Sequence, residues 1–372
     1  MTRFVLVVML MSACGDNLAA TPDAARPDAP SAFATAPHTP LPLLARHDGY
    51  VLHHPELVTI TYANYAAAAQ VEQFGDEVVA SDWFQNAGRE YGVGAGTHAA
   101  KVHLGAAPAT LKDTDIETLM HTLVTNHTVP TPPATDSEYI YMIYIPPSVT
   151  LDASLQGFYG YHQDTTLGAT RFAFAVILDD GSGIDTTTST AAHELIETAT
   201  DPYFVDGQLG WYIDPPADDP WYLIEGEIAD VCDGEALIRS GNFAVQRTWS
   251  NLAAAAGQSP CVPYDPDSVW MDVSADPPTM PTIPAGGSAT FTLTGWSTQQ
   301  VGDWSLDEYT ADFSDLYDTD MNPTFSTKII NNGKTAQLTL HAPASARSGD
   351  FGGIYVLSGD QIRPWAVGFV VQ

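Results

Sequence analysis

Residues 171–200 read RFAFAVILDDGSGIDTTTSTAAHELIETAT, and this stretch decides the class of fold. Residues 171–178 are an apolar run with aromatic and β-branched side chains, typical of a strand that is buried on both faces. A loop of Asp, Gly and Ser follows, and residues 186–200 then have the composition and length of a helix. A buried strand followed by a loop and a helix indicates a layered domain in which helices cover a sheet.

The residues upstream continue this alternation of strands and helices. Alternating or wholly apolar runs predict strands at 58–62 and 139–145. Apolar residues at helical spacing predict helices at 66–91 and 113–124, the second with Thr110 or Asp113 as its N-cap. The sequence therefore predicts an α/β or α+β domain over residues 45–265.

The pattern changes after residue 265. Short alternating runs separated by Gly- and Pro-rich turns lie at 289–294, 336–341, 351–357 and 365–371. About a hundred residues of this kind predict an immunoglobulin-like β-sandwich over 266–372. The length of 372 residues also favours two domains over one.

The charge balance limits the partners. Thirteen Lys and Arg against 45 Asp and Glu give a formal net charge of −32. Such a surface repels phosphate backbones and anionic lipid headgroups, which excludes nucleic acid as a partner. No apolar stretch approaches the roughly 20 residues that span a bilayer.

The N-terminus predicts export and a lipid anchor. Arg3 precedes the apolar run FVLVVMLM, which ends in MSAC (11–14). This resembles a bacterial lipobox, with Met where Leu is more usual, and predicts a signal peptide over 1–13 and lipidation of Cys14. Residues 14–44 are rich in Ala, Pro and Asp and predict an extended tether. We expect a protein anchored to the bacterial outer membrane or cell surface; the alternative is an ordinary Cys14.

The remaining cysteines are Cys232 and Cys261. An exported chain with one such pair is expected to join them in a disulfide, although two separate thiols are the alternative.

The segment His193-Glu194-Leu195-Ile196-Glu197 carries the main chemical signal. Positions i and i+4 of a helix share a face, so His193 and Glu197 can bind one metal ion while Glu194 faces its open side. The H-E-x-x-H motif of zinc peptidases uses this geometry, with the Glu as general base. Here the second ligand is a Glu, and the alternative is a solvated helix whose acids face water.

A third ligand is needed, and four residues are candidates. We rank Glu227 first, then Asp230, Asp201 and His162. The span from 201 to 235 holds ten acids and no Lys or Arg. This composition allows a Ca²⁺ site as well as a solvated acidic loop.

Several segments carry a family resemblance: HELIETATDP (193–202), GWYID (210–214), GEIADVC (226–232), WSN (249–251) and Cys261. In this order they resemble bacterial and fungal members of the phosphate-induced, EXORDIUM-like family over roughly residues 55–263. GFYGYH (157–162) resembles an upstream Gly-x-His segment, without the Cys that relatives often have there. The resemblance implies a zincin-like metalloprotein. Plant members largely lack the His-Glu pair, so the family need not be catalytic.

The sequence allows three hypotheses about function. The first is a zinc-dependent hydrolase, preferably a metallopeptidase, acting on a protein, peptide or cell-wall substrate. The second is a metal-stabilised, non-catalytic protein that binds a wall or surface. The third is a purely structural domain in which the motif arose by chance.

Overall fold

The computed structural model describes residues 33–205, 207–224, 226–264, 269–359 and 361–372. The chain divides into two units, residues 1–34 and 35–372, and the second contains every element described below. The predicted signal peptide, Cys14 and most of the tether lie outside the described residues. Within the described ranges, no helix is long and apolar enough to cross a membrane.

The secondary structure is mixed, with more strands than helices. The helices are α1 (Ala68–Val78), α2 (Asp82–Gly88), α3 (Asp113–Thr125), α4 (Ile184–Thr200), α5 (Asn251–Ala255) and α6 (Asp318–Met321). The strands before residue 265 are β1 (Ala45–Arg46), β2 (Glu56–Tyr62), β3 (Thr97–Leu104), β4 (Thr110–Leu111), β5 (Tyr139–Ile145), β6 (Thr150–Leu151), β7 (Gly160–Leu167), β8 (Thr170–Leu178), β9 (Trp211–Tyr212), β10 (Ile238–Ser240), β11 (Phe243–Val245), β12 (Thr248–Trp249) and β13 (Cys261–Val262). Those after it are β14 (Met271–Asp276), β15 (Thr282–Ile283), β16 (Ser288–Ser297), β17 (Trp304–Thr310), β18 (Thr324–Phe325), β19 (Ile329–Ile330), β20 (Thr335–His341), β21 (Phe351–Ser358) and β22 (Gln361–Val371).

A five-stranded sheet organises the first part of the chain, in the order β3-β2-β5-β8-β7. Strands β3, β2, β5 and β8 run parallel, whereas the edge strand β7 is antiparallel to β8. The central strands are buried on both faces, which explains why their sequences are apolar nearly throughout.

Helices cover both faces of this sheet. Alternate residues of β5 point to opposite sides, so Ile140 shares a core with Leu195 of α4, whereas Tyr141 shares a second core with Ile116 of α3. Helices α1 and α2 join α4 on the first face. The predicted combination of strands and helices is confirmed.

The chain after residue 268 forms two further sheets, in the orders β14-β16-β20-β18 and β15-β22-β21-β17-β19. The two sheets share one core, in which Phe291 and Leu338 of the first sheet are fully or almost fully buried. Val356 and Phe369 of the second sheet are buried in the same core. The predicted β-rich C-terminal region is confirmed. Its assignment to the immunoglobulin-like class stays a prediction.

Two local predictions are wrong. The helix predicted over 66–91 is interrupted after Val78, and Ser81 begins α2 because its hydroxyl accepts a hydrogen bond from the Phe84 N–H. At the start of α3, Lys112 occupies the N-cap position without a side-chain hydrogen bond. Thr110 cannot cap this helix because it lies in β4, which pairs with β6.

The last part of the predicted tether packs against the protein. The Ala36 N–H donates to Asn332 Oδ1 at 2.9 Å, and the His38 ring stacks on Trp296 with 3.9 Å between centroids. Leu44 is buried. Parts of residues 36–44 of the predicted tether therefore have partners in the fold, and the boundary at residue 44 stays a prediction.

Candidate metal centre

Helix α4 brings the two residues of the predicted metal pair together. It follows β8 after the loop of residues 179–183, and its last two turns are buried except for a partly exposed His193. His193 and Glu197 are one turn apart, and their Nε2 and Oε2 atoms are separated by 2.9 Å. The i, i+4 spacing thus aims both atoms at one point.

Asp230 completes the first ligand group. Its Oδ1 lies 3.3 Å from His193 Nε2, and the ligand atoms of His193, Glu197 and Asp230 all lie within 4.8 Å of one another. These three side chains could therefore hold one metal ion. One imidazole nitrogen with carboxylates suits Zn²⁺ better than Ca²⁺, which takes oxygen ligands.

A glutamine orients the histidine of this group. Gln246 Oε1 accepts from His193 Nδ1 at 2.9 Å, and Gln246 Nε2 donates to the Ala229 carbonyl at 2.8 Å. Because the second bond fixes which end of the amide faces the imidazole, Nδ1 carries the proton. In the neutral imidazole, the lone pair of Nε2 is therefore directed at the ligand group.

Backbone amides orient Glu197 in the same way. Its Oε1 accepts from the N–H groups of Ala229 and Asp230 at 3.2 and 3.1 Å. These bonds occupy Oε1, and the other carboxylate oxygen, Oε2, faces His193. The two ligands of α4 are therefore held by the segment that also carries Asp230.

The disulfide predicted between Cys232 and Cys261 is confirmed, with 5.6 Å between the two Cα atoms. Cys232 ends the short 3₁₀ helix that begins at Asp230, and Cys261 begins β13. The bond therefore fixes the ligand segment to a strand of the fold.

His162, Glu197 and Glu227 form a second group of atoms within 4.8 Å. His162 Nε2 lies 3.5 Å from Glu227 Oε1, and His162 Nδ1 lies 3.9 Å from Glu197 Oε2. His162 belongs to β7, and its buried ring contacts Phe204 edge-on at 4.8 Å between centroids. The two groups thus share Glu197.

Glu194 lies beside both groups without belonging to either. Its Oε2 is 3.4 Å from His162 Nδ1, and the residue is buried. A Cβ at position 160 would come within 2.8 Å of Glu194 Oε1, so Gly160 leaves room for this carboxylate.

The buried charges shift the protonation of the cluster. Burial, together with Asp230, raises the pKa of Glu197 to about 7. Burial opposes the charged form of His193 most strongly, but the carboxylates of Glu197 and Asp230 outweigh it and raise its pKa well above the usual value. Burial likewise disfavours charged His162, yet Glu227, Glu194 and Glu197 raise its pKa to about 10. Without a cation, protons compensate the carboxylate charge.

A cavity of about 280 Å³ opens onto the ligand atoms. Both groups and Glu194 line it, together with four aromatic side chains: Phe158, Phe204, Tyr212 and Phe313. Phe313 comes from the C-terminal region. Among the described residues lining the cavity there is no Lys or Arg. The cavity therefore suits a cation and apolar substrate groups.

The four candidate third ligands have different surroundings. Asp230 joins His193, whereas Glu227 joins His162. Asp201 lies outside both groups, and its Oδ1 accepts the Gly210 N–H at 2.8 Å just after α4 ends. Of the acidic span 201–235, only Glu227 and Asp230 enter a group among the described residues.

Sequence reasoning missed Gln246. A single glutamine has no ligand spacing, and its neighbours QRTWSN (246–251) were informative only through the family resemblance. Its importance depends on the hydrogen bond to His193, which sequence alone does not reveal.

No protein-family model matches the chain, and no curated protein or solved structure matches it either. The EXORDIUM-like resemblance stays a prediction from the motifs. Function is therefore inferred from the geometry of the two ligand groups and Glu194.

Proposed function

We propose that the protein is a divalent-metal-dependent hydrolase, with Zn²⁺ as the preferred ion and a peptide bond as the bond cleaved. The position of Glu194 carries the proposal, because its carboxylate faces the cavity of the ligand groups but belongs to neither. A carboxylate beside a nitrogen–oxygen ligand set is where hydrolysis requires a general base.

Each residue has a defined task in this reaction. His193, Glu197 and Asp230 would hold the ion through the three atoms that lie together. A bound Zn²⁺ supplies Lewis acidity, which lowers the pKa of water and polarises a substrate carbonyl. Glu194 takes a proton from the attacking water and passes it to the leaving amine. Gln246 keeps the proton of His193 on Nδ1.

The edge strand β7 supports a peptide as substrate. Among the strands of the described residues, none pairs with its outer edge. An extended peptide can add to such an edge through main-chain hydrogen bonds. Gly160, Tyr161 and His162 of β7 line the cavity, so a peptide along this edge reaches Glu194. The exposed rings of Phe158 and Phe313 favour apolar side chains next to the cleaved bond.

Replacing Glu194 with Gln tests the activity. We expect the Glu194→Gln variant to keep its metal and its melting temperature, because the side chain keeps its size and is not a ligand. The variant should nevertheless have a kcat on an unfolded protein substrate that is lower by about 10²–10⁴-fold, because the general base is lost. Asp233→Asn, an exposed acid in the same region, is the control and should cleave like the parent protein. If the metal-loaded parent cleaves neither proteins nor peptides, the non-catalytic surface-binding function replaces this one.

We also propose finer assignments for the fold and family. Residues 45–265 are a zincin-like domain and residues 266–372 an immunoglobulin-like sandwich, in a member of the EXORDIUM-like family. The His-Glu helix next to a mixed sheet supports the first assignment, and the two C-terminal sheets support the second.

Export and anchoring complete the proposal. The signal-peptide pattern and the MSAC sequence support a lipoprotein held at the outer membrane or cell surface through Cys14. Cys14→Ser should move the protein from the membrane fraction to the soluble fraction, or block its processing. Unchanged fractionation contradicts the anchor.

A further inference from the structure

The two ligand groups meet at a single carboxylate oxygen. Glu197 Oε2 is 2.9 Å from His193 Nε2 in the first group and 3.9 Å from His162 Nδ1 in the second. Its other oxygen is already occupied by two backbone N–H groups. Glu197 Oε2 is therefore placed between two sets of ligands.

The histidine of the second set is also held in place by the fold. The His162 side chain is only 2% exposed, and its Nε2 lies 3.2 Å from the Asp201 carbonyl. In neutral His162, a bond from Nε2–H to that carbonyl directs the lone pair of Nδ1 at Glu194 and Glu197. His162 is thus buried and oriented like a ligand, although His193, Glu197 and Asp230 already provide a complete group.

Glu227 supplies an unsatisfied atom at the same place. Among the described residues, none donates a hydrogen bond to its buried Oε1, which faces His162 Nε2 at 3.5 Å. A buried carboxylate oxygen that accepts no hydrogen bond is costly, and a bound cation removes that cost.

The charge count also exceeds what one ion balances. Four carboxylates line the cavity (Glu194, Glu197, Glu227 and Asp230), with two histidines and no Lys or Arg among the described lining residues. When both histidines are neutral, as metal ligands must be, one divalent cation leaves two of the four carboxylate charges uncompensated, whereas two cations neutralise all four. Buried charges are retained where they are paired or bind metals.

We propose that the site binds two divalent cations bridged by Glu197. His193 and Asp230 complete the first position, and His162 and Glu227 complete the second. Ions that share one carboxylate oxygen lie about 3.5–4 Å apart. The inference extends the proposed metal site but does not depend on the hydrolytic activity.

Metal content of the full soluble chain tests the stoichiometry. After removal of metal, reloading with Zn²⁺ and gel filtration, we expect two ions per chain in the parent protein. Glu227→Gln and Asp230→Asn should each retain one ion, which also shows that the variants fold. Glu197→Gln should retain less than one, and the exposed control Asp233→Asn should retain two. One ion in the parent that survives Glu227→Gln overturns the proposal, as does loss of both ions in either single-position variant.

Loading with Mn²⁺ tests the bridge. Electron paramagnetic resonance should show an exchange-coupled pair as the second equivalent is added, and two uncoupled ions would overturn the shared carboxylate. Activity is measured on the same Zn²⁺ samples. If the protein binds only one ion and hydrolyses the substrate, the second metal position is refuted and the proposed function stands. If it binds two coupled ions and hydrolyses nothing, the proposed function is refuted and the second metal position stands.

Discussion

Replacing Gln246 with Leu probes how the fold prepares His193 to bind metal. Gln246 is 6% exposed, accepts from His193 Nδ1 at 2.9 Å and donates to the Ala229 carbonyl at 2.8 Å. Leucine keeps much of the volume but leaves His193 free to place its proton on Nε2. Loss of such a partner typically weakens metal affinity about 10–100-fold. We expect the Gln246→Leu variant to bind Zn²⁺ about 10–100-fold more weakly than the parent protein.

The same change has a calculable effect on stability. With free Zn²⁺ at about 1,000 times the dissociation constant of the parent protein, the bound ion stabilises the fold by about 4.1 kcal/mol. A 10–100-fold weaker site reduces this to about 2.7–1.4 kcal/mol. The metal-free variant also loses stability, because the Ala229 carbonyl and His193 N–H lose buried partners at about 1–3 kcal/mol each.

Calorimetric Zn²⁺ titration gives the affinity, and thermal unfolding with and without Zn²⁺ separates the metal-dependent part of the stability. The control is Gln258→Leu at an exposed position, which should leave the affinity unchanged. If Gln246→Leu binds Zn²⁺ as tightly as the parent protein, Gln246 does not orient His193 and our reasoning about this hydrogen bond is refuted.

Two further predictions concern pH and the disulfide. The metal-free site holds protons on His193, whose pKa is well above its usual value, and on Glu197, whose pKa is about 7. Because Zn²⁺ must displace these protons, its affinity should rise with pH, about tenfold per pH unit for each proton displaced. Between pH 6 and 8 we therefore expect an increase in Zn²⁺ affinity of at least about 100-fold. Titrations at pH 6, 7 and 8 that give the same affinity would contradict this. Cys232→Ser should lower the free energy of unfolding by about 3–4 kcal/mol, given the sequence separation of 29 residues, as measured by urea denaturation. Equal denaturation midpoints for the oxidised and reduced parent protein would argue against that contribution.

Local sequence was sufficient for the central strands and for the helix that carries His193, Glu194 and Glu197, but it did not predict β7, which carries His162. The apolar run of β5 is a strand with the predicted bounds, and α4 spans the predicted residues 186–200 with two more at its start. Both follow from the periodicity of side chains along a few turns or pleats. The break between α1 and α2 was missed because the Ser81 cap competes with helix propensity over a short distance.

By itself, the sequence determined that His193, Glu194 and Glu197 share a helix end, because a spacing of four residues fixes their relation in any α-helix. It also predicted the disulfide pair, because the lipobox-like pattern assigns Cys14 to a lipid anchor and leaves Cys232 and Cys261 as the one pair. Only the tertiary structure decided that Asp230 joins His193 while Glu227 joins His162, and that Gln246 supports the first pair. These residues come from an edge strand, a short 3₁₀ helix and irregular segments at least 30 positions away from their partners. Their meeting depends on sheet order and on the path of the disulfide-linked chain, which no local periodicity encodes.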